Sequence, residues 1–434
     1  MQDCDLCRRM REDWDRRARE DAKYYVAFGR RGQDDEEFFA TGRELALGLA
    51  RELERLPGGN PRARRALEIG CGLGRLMLPL AGFFGEIHGV DVSEQMVRMA
   101  REKLRHIPHA HVHLTDGADL APFADESFDF VYSYAVFQHI PSREVVLDYW
   151  RETHRVLKPG GVFRFQVNGL PATEPNYDTW RGVRISAPEI AEFARQHDFQ
   201  LLALEGVLTQ YQWATWRKRP RGWFASLSQP VMPPLARIRR ITNAHSSEPA
   251  VPYSGRFAVA SLWIEEIPED CDLNTLTVTV AEREGRISYL GPQWQGLRQL
   301  NVEVPPGITS GLHRVEVRWL GKPIAPPATL RLIPPAPAVP RIISVTDGID
   351  LLAGTEIRTR LVQVSLEEAD QPERFEALID GQPVGEREIF CADPRALLYQ
   401  ISFVLPEAIG PGVHHLEMRL GRRRFPPVRL EVLA

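Results

Sequence analysis

The spacing of apolar residues changes character twice along the chain. Over residues 7 to 28, Met10, Trp14, Ala18, Ala22 and Tyr25 or Val26 recur every three or four positions, which predicts an amphipathic helix. Phe39, Leu45, Leu49 and Leu53 repeat in the same way over about 36 to 56, and Pro57-Gly58-Gly59 ends that second helix. From Ala66 onward short apolar strands alternate with helical stretches: ALEIG, a helix from Gly74, IHGVDV, a helix from Ser93, HVHL, FDFVYS, a helix from Ser142, and VFRFQV. Strand and helix alternating at this spacing predict a parallel sheet with helical crossovers. Ser186 and Glu189 form a capping box for a helix ending near His197, and LLALEGV with LTQYQWATW then reads as a closing strand pair.

From about Phe257 the period becomes two: LTVTV, LNVEV, HRVEVRWL, RIISV, FEALID, YQISFVL, HHLEMRL and VRLEVL alternate apolar and polar residues between Pro/Gly turns, the pattern of antiparallel sheet. This half repeats itself. Pro305 aligns with Pro406, Gly311 with Gly412, His313 with His414, and Pro326-Pro327 with Pro426-Pro427. The offset is about 100 residues, the size of one β-sandwich domain. PPAPAVP (334–340) separates the copies as a stiff spacer. The expected architecture is a helical cover (1–60), a doubly wound α/β sheet (61–216), a basic, proline-rich linker (217–255), and two all-β sandwiches resembling immunoglobulin-like modules (256–335 and 340–434). The β half carries no Cys-Trp-Cys framework, so that resemblance is one of architecture.

Composition narrows the function classes. At 434 residues the chain has room for two or three domains, and 43% hydrophobic with 26% charged residues is the make-up of a globular protein. A formal charge of -4 argues against a whole-protein role as a basic nucleic-acid binder, although Arg217, Lys218, Arg219, Arg221, Arg237, Arg239 and Arg240 gather beside Trp216, Trp223 and Phe224. That cluster reads first as a linker packed on its own domains. No run approaches ~18 uncharged apolar residues, and the charged start MQDCDLCRRMREDW does not read as a secretory leader. Five scattered cysteines argue against a disulfide framework and for a reducing cytoplasm. Cys4 and Cys7 make a lone CxxC without the second pair a zinc site needs, and no metal is expected. His109, His111 and His113 share one face of the third strand, where a half-polar sheet edge accounts for them better than a metal does.

The chemistry concentrates after the first strand. Glu68 leads into Gly70, Gly72 and Gly74, where bare backbone can turn sharply and lie against a ligand. The spacing is GxGxG with Arg75 next, which disfavours the GxGxxG loop of a dinucleotide-dependent oxidoreductase. Asp91 ends the next strand 21 positions beyond Gly70, where a carboxylate can accept from both hydroxyls of a ribose. HVHLTDG then places Asp116 and Gly117, FDFVYSYAVFQHIP a tyrosine-rich loop, and RVLKPGGVF a helix, turn and strand.

This series resembles the class I S-adenosylmethionine-dependent methyltransferases of small-molecule type (type 11/25-like), with their LxxGCGxGR, VDxS and LKPGG blocks, over about residues 10 to 215. The resemblance implies a Rossmann-like fold and S-adenosyl-L-methionine as cofactor. It places Glu68 behind the glycine loop facing the methionine amino group, Gly70, Cys71 and Gly72 along the cofactor, Asp91 and Val92 at the ribose, Met96 on the adenine, and Asp116 with Gly117 at the adenine edge. The family more often shows Gly-Asp than Thr-Asp-Gly at that last position. Positioning of the acceptor supplies most of such a rate enhancement, and a base helps when the acceptor is a hydroxyl. His139 is placed for that role, although a structural histidine that supports the loop is the favoured reading; Tyr134 in the same loop is a catalytic and cofactor-contact candidate, and with Trp14, Tyr24 and Tyr25 of the leading helix it is a candidate to line the pocket and exclude water, although core packing explains the tyrosines equally well. The expected activity is O- or N-methylation of a small-molecule or glycan-like acceptor, with the sandwiches binding a protein partner, the substrate or a second copy. The competing reading is a non-catalytic scaffold, or a carbohydrate- or protein-binding module, that keeps the fold as a relic.

Overall fold

β1 (Arg65–Ile69), β2 (Glu86–Asp91), β3 (Ala110–Leu114), β4 (Phe128–Ser133) and β5 (Leu157–Val167) pair in parallel because apolar layers cover both faces of their sheet. The computed structural model describes residues 5–27, 31–171, 177–228, 236–336, 339–349, 353–393 and 397–433. Leu67, Ile69, Val90 and Val131 face one layer with Val146, Trp150 and Phe163, while Ala66, Ile87, Phe130 and Tyr132 face the other with Leu49, Leu80 and Val97. β6 (Phe199–Glu205) and β7 (Gln212–Lys218) are the closing pair, with β7 antiparallel to both β5 and β6. The order is β3-β2-β1-β4-β5-β7-β6.

The helices start where the sequence says they should. α1 (Asp5–Ala27) and α2 (Asp35–Arg51) lead the chain, and α3 (Met77–Leu80), α4 (Glu94–Lys103), α5 (Arg143–Val156) and α6 (Ala187–Gln196) connect strands. Ser93 and Ser142 cap α4 and α5 by accepting from the Met96 and Val145 amides, and Glu189 accepts from the Ser186 amide at 2.9 Å to complete the capping box of α6. The helix expected from Gly74 is only one turn, because the glycine loop runs on to Leu76.

Two expectations are corrected here. The leading helix is not one rod: Asp21 (φ -164°, ψ 89°) is extended and breaks it. The second correction concerns the stretch 217–255, expected as a linker. It carries β8 (Arg237–Asn243) and β9 (Ala250–Pro252), and Arg217 and Lys218 already belong to β7. Their alternation is hidden by three arginines in β8 and a proline in β9, but β8 pairs with the strand Val259–Glu265 and β9 with the strand Ala328–Ile333, so both are ladder strands.

Among the described residues each β module has ten strands. The first has β8, β9, β10 (Val259–Glu265), β11 (Leu276–Val280), β12 (Arg283–Gly285), β13 (Ile287–Trp294), β14 (Leu297–Glu303), β15 (Gly311–Trp319), β16 (Lys322–Pro323) and β17 (Ala328–Ile333). The second has β18 (Arg341–Asp347), β19 (Glu356–Ile357), β20 (Leu361–Glu367), β21 (Phe375–Ile379), β22 (Gln382–Pro383), β23 (Arg387–Asp393), β24 (Leu398–Val404), β25 (Gly412–Leu420), β26 (Arg423–Arg424) and β27 (Val428–Val432). The orders β13-β14-β10-β8 and β12-β11-β15-β17-β9 recur as β23-β24-β20-β18 and β22-β21-β25-β27-β19. In each copy the two sheets enclose one apolar core, with Leu262, Leu300, Val278 and Val317 in the first and Val364, Ile401, Ile379 and Met418 in the second. The aligned histidines do the same job: His313 and His414 each donate Nε2–H to the carbonyl four residues back, Thr309 and Gly410, at 2.8 Å.

The residues divide into two compact units, Met1–Arg19 with Phe39–Pro335, and Glu20–Phe38 with Ala336–Ala434. Within the first unit β6 is not an edge. β13 pairs with it in antiparallel sense, so the α/β sheet runs on through the first β module as one sheet of 11 strands. Leu202 of β6 is fully buried in the sandwich core, and the Leu201 carbonyl accepts from the Leu273 amide. A fragment ending after residue 218 therefore loses β13 and uncovers Leu202, and should elute as aggregate on size exclusion. In the full chain, Leu202→Ala should cost about 2–5 kcal/mol in chemical denaturation. A monomeric, cooperatively melting fragment would show that β13 is dispensable.

Candidate active site

The strand order reverses around β1, which has β2 on one side and β4 on the other, and α/β sheets take ligands above the carboxyl ends of strands at such a point. The glycine loop starts there. The Gly70 and Cys71 amides both donate to the Val90 carbonyl, at 2.8 and 2.9 Å, which ties the loop to the end of β2. Gly70 has φ 73°, and a Cβ on it would fall 2.3 Å from Val136 Cγ2, so only glycine fits between the two loops.

Asp91 holds the centre of the site. Its Oδ2 accepts from the Gly72 amide and its Oδ1 from the Ser93 amide, each at 2.9 Å, so one carboxylate sets the glycine loop against the start of α4. Burial pushes its pKa up to about 6 against the pull of those two amides, and Asp15 adds to the rise. Glu68, behind the loop, is buried and accepts from the Tyr132 hydroxyl at 3.0 Å. Burial carries it up to about 8; the Tyr132 bond and Arg75 oppose this, and Asp91 reinforces it. Burial also raises the Cys71 thiol, which is packed out of reach of solvent. Among the described residues neither Glu68 nor Asp91 makes an ion pair. Glu68, buried, and Asp91, half-buried, are thus both held above the usual carboxylate range, and a ligand that brings cationic or hydroxyl donors would satisfy them.

Val92 and Gly117 meet across the ends of β2 and β3: Gly117 has φ 96°, and a Cβ there would lie 2.9 Å from Val92 Cγ1. Asp116 is exposed and turns its carboxylate to the Ala118 amide at 3.1 Å. Met96 is buried in the first turn of α4. Val92 and Gly117 thus follow the ends of β2 and β3, and Met96 lies in the helix that starts after β2.

The loop after β4 differs from expectation at His139. Its Nδ1 donates to the Trp180 carbonyl at 2.9 Å, and its Nε2 lies 3.2 Å from the Gln138 amide nitrogen, which donates to it. Gln138 in turn accepts from Gln166, whose Oε1 takes the Ala135 amide. Burial holds the imidazole down to about 4. With both nitrogens engaged and the ring neutral, this geometry is that of a loop brace and not of a free base. Tyr134 instead stacks on Trp213, with ring centres 5.4 Å apart and planes 5° from parallel, and lies under the Arg75 guanidinium at 5.7 Å.

The leading helix supplies only part of what was expected of it. Trp14 sets its edge on His139 at 5.5 Å, and the buried Arg17 spans Trp14 and Trp180 while donating to Thr179. Asp13 accepts from the Thr179 hydroxyl, and Asp15 accepts from Ser93 Oγ at 2.6 Å and from the Gln95 amide. Tyr24 and Tyr25 follow the break at Asp21 and belong to the second unit, where Tyr24 donates to the Ile349 carbonyl and Tyr25 to Glu20. Sequence reading missed Asp15, Arg17, Gln138 and Gln166. A glutamine inside the apolar strand VFRFQV, and an arginine on the buried side of α1, were the signals for the last and the second of these.

The histidines of β3 diverge. His109 Nε2 lies 3.0 Å from the Ala81 carbonyl, whereas His88 Nδ1 lies 3.1 Å from His113 Nε2. Among the described residues no three His, Cys, Asp or Glu side chains are grouped to hold a metal ion. Cys4 lies outside the described residues, and Cys71 and Cys271 are buried free thiols.

Residues 67–165 match the family model described as a methyltransferase domain. A demethylmenaquinone methyltransferase of Staphylococcus haemolyticus is 37% identical over 101 residues, which is 23% of this chain and 41% of that protein. A trans-aconitate 2-methyltransferase of Variovorax paradoxus is 35% identical over 130 residues, 30% of this chain and 47% of that protein. The chain thus spans less than half the length of these curated relatives. Among solved structures, geranyl diphosphate C-methyltransferase of Streptomyces coelicolor, in complex with S-adenosyl-L-homocysteine, overlaps 49% of this chain and 98% of its own at 16% identity, with a TM-score of 0.38. Residues 67–165 are a methyltransferase domain whose cofactor is S-adenosyl-L-methionine.

The raised acids give the ligand-free protein a pH signature. Glu68 titrates at 4.5 when unfolded and at about 8 when folded, so the stability that its protonated form confers is complete below 4.5 and lost as pH rises through 8. Glu68→Gln should flatten the fall in melting temperature between pH 5 and 8, raising the pH 8 value by about 2–4 °C. Parallel curves for the two proteins would mean that Glu68 is ionised at neutral pH.

Proposed function

We propose that the whole chain transfers a methyl group from S-adenosyl-L-methionine to a small-molecule or glycan-like acceptor, at oxygen or nitrogen. The observation that carries this reading is Asp91, whose carboxylate joins the glycine loop to the head of α4 at the switch point of the sheet. The relatives act, by their names, on demethylmenaquinone and on trans-aconitate, both small molecules, which supports the acceptor class.

In this reading Asp91 and Val92 receive the ribose, Glu68 faces the ammonium of the methionine tail, and Gly70, Cys71 and Gly72 lie along it. Met96, Asp116 and Gly117 border the adenine. The bound donor supplies a methyl group on a sulfonium, whose carbon–sulfur bond breaks with its electron pair left on sulfur as the acceptor's lone pair forms the new bond. The protein's share is to orient the acceptor and exclude water, since a well-placed pair gains several kcal/mol over a random encounter. Tyr134 and Trp14 border that space. His139 keeps the loop between them in place through Gln138 and Trp180, and the acceptor's proton leaves without its help.

The two β modules read as immunoglobulin-like. With β8, β10, β11, β13, β14, β15 and β17 as strands A to G, the sheets are ABED and CFG, and the second module repeats them. We assign them to binding a protein partner, a large acceptor or a second copy. Among the described residues no helix is long and apolar enough to cross a membrane, and the scatter of the cysteines along the sequence fits a cytoplasmic protein.

Calorimetry with the full chain tests the reading. S-adenosylhomocysteine should bind, and Asp91→Ala should weaken it by about 1.5–3 kcal/mol, the scale of lost charge-assisted hydrogen bonds. Failure of the wild-type chain to bind would favour a scaffold that has kept only the fold. His139→Asn should lower the melting temperature and turnover while leaving the pH dependence of kcat/KM in place. A lost ionisation in that profile would restore His139 as a base.

A further inference from the structure

Arg75 is a buried cation that feels the charge of Glu68 but makes no ion pair among the described residues. Its side chain follows directly on the glycine loop and the residue is 7% exposed. Nη1 donates to Thr41 Oγ1 at 3.2 Å, Nε has no hydrogen-bond partner, and among the described residues no carboxylate lies within ion-pair distance. α2 fixes it from one side, since a Cβ on Gly42 would fall 3.0 Å from Arg75 Cγ. On the other side lies the Tyr134 ring. An arginine left without an ion pair in such a place destabilises the fold, and a ligand anion would offset that cost.

The surface next to it is aromatic. Trp213 lies parallel to Tyr134, and Tyr211, 48% exposed, continues the stack at 6.4 Å and 22°. Arg164 closes the far end over Trp213 at 4.8 Å. No described residue hydrogen-bonds the Tyr134 or Tyr211 hydroxyl. A flat π face, free phenol hydroxyls and an unpaired guanidinium together select a planar ring that carries an acid.

We propose that Arg75, Tyr134, Tyr211 and Trp213 form the acceptor subsite, and that the acceptor is an aromatic acid whose carboxylate seats on Arg75. This names the substrate class of the transferase reading and rests on it. The carboxylate could also be the one on the cofactor's amino-acid tail, and the test separates the two sources.

The full chain, wild type and Arg75→Gln, is titrated with S-adenosylhomocysteine, with 5′-methylthioadenosine, which lacks the amino-acid tail, and, once saturated with S-adenosylhomocysteine, with benzoate, 4-hydroxybenzoate and 2-naphthoate. The subsite requires that at least one of these acids bind the wild type, that Arg75→Gln weaken it by about tenfold or more, and that S-adenosylhomocysteine stay within about threefold. Trp213→Leu should weaken the aromatic acid and spare succinate, a readout that general loss of fold would not give; equal loss of both would remove the aromatic part of the proposal. Melting curves and partial recovery by Arg75→Lys guard against misfolding. If Arg75→Gln instead weakens S-adenosylhomocysteine about tenfold and leaves 5′-methylthioadenosine unchanged, the guanidinium serves the cofactor's tail and the acceptor assignment is overturned. It is equally overturned if none of the three acids binds the wild type. Absence of S-adenosylhomocysteine binding to the wild type would defeat the transferase reading itself, which sets that failure apart from the others.

Discussion

A sheet cannot end inside a protein without something to occupy the backbone donors and acceptors of its last strand. In this chain β6 would be that strand, and β13 covers it. The first β module is therefore not an appendage hung on a catalytic domain; it continues the same sheet. Side chains fasten the seam as well. Arg55, in the turn after α2, donates to the Leu290 carbonyl of β13 at 2.6 Å and pairs with the buried Glu52, while Arg217 of β7 donates to the Arg55 carbonyl. α2 is thus anchored at its far end on the sandwich, and it is α2 that packs against Arg75. The place where an acceptor would sit depends on a module more than 200 residues later in sequence.

The electrostatics of the site follow from the same enclosure. Glu68 is buried and Asp91 half-buried, and the loss of solvation makes each hold its proton more tightly than usual. Arg75, a few ångströms of backbone away, is driven in the opposite sense by its burial. An arrangement of unpaired acids and an unpaired base side by side is poor for folding and good for taking a ligand that carries both signs.

What could be read in advance was whatever rests on local rules. The caps at Ser93, Ser142 and Ser186, the glycine loop with Asp91, and the closing pair β6 and β7 each depend on a few neighbouring residues. The repeat was legible too, because Gly311 and His313 make the same turn as Gly412 and His414. What escaped depends on distant contacts. β8 and β9 are strands only because β10 and β17 lie beside them, and their own arginines and proline conceal it. His139 has the position of a base, but the Trp180 carbonyl that engages its Nδ1 comes from 41 residues on. Asp21 breaks α1 although the apolar stripe runs through it, and nothing local marks Tyr24 as a donor to Ile349.

The division at that break has a consequence for the order of synthesis. Residues 20–38 form a compact unit with 336–434, while residues on both sides of them, 5–19 and 39 onward, fold into the other unit. During translation the strands of the α/β sheet leave the ribosome and can pair as they come, yet the segment threaded between the first helix and α2 must wait for roughly 300 further residues before its partner exists. At ~5–20 residues per second that is a delay of about 15–60 seconds. For that interval Tyr24 lacks the partner it hydrogen-bonds in the finished fold, so residues 20–38 complete their folding together with the last residues made, well after 5–19 on their N-terminal side.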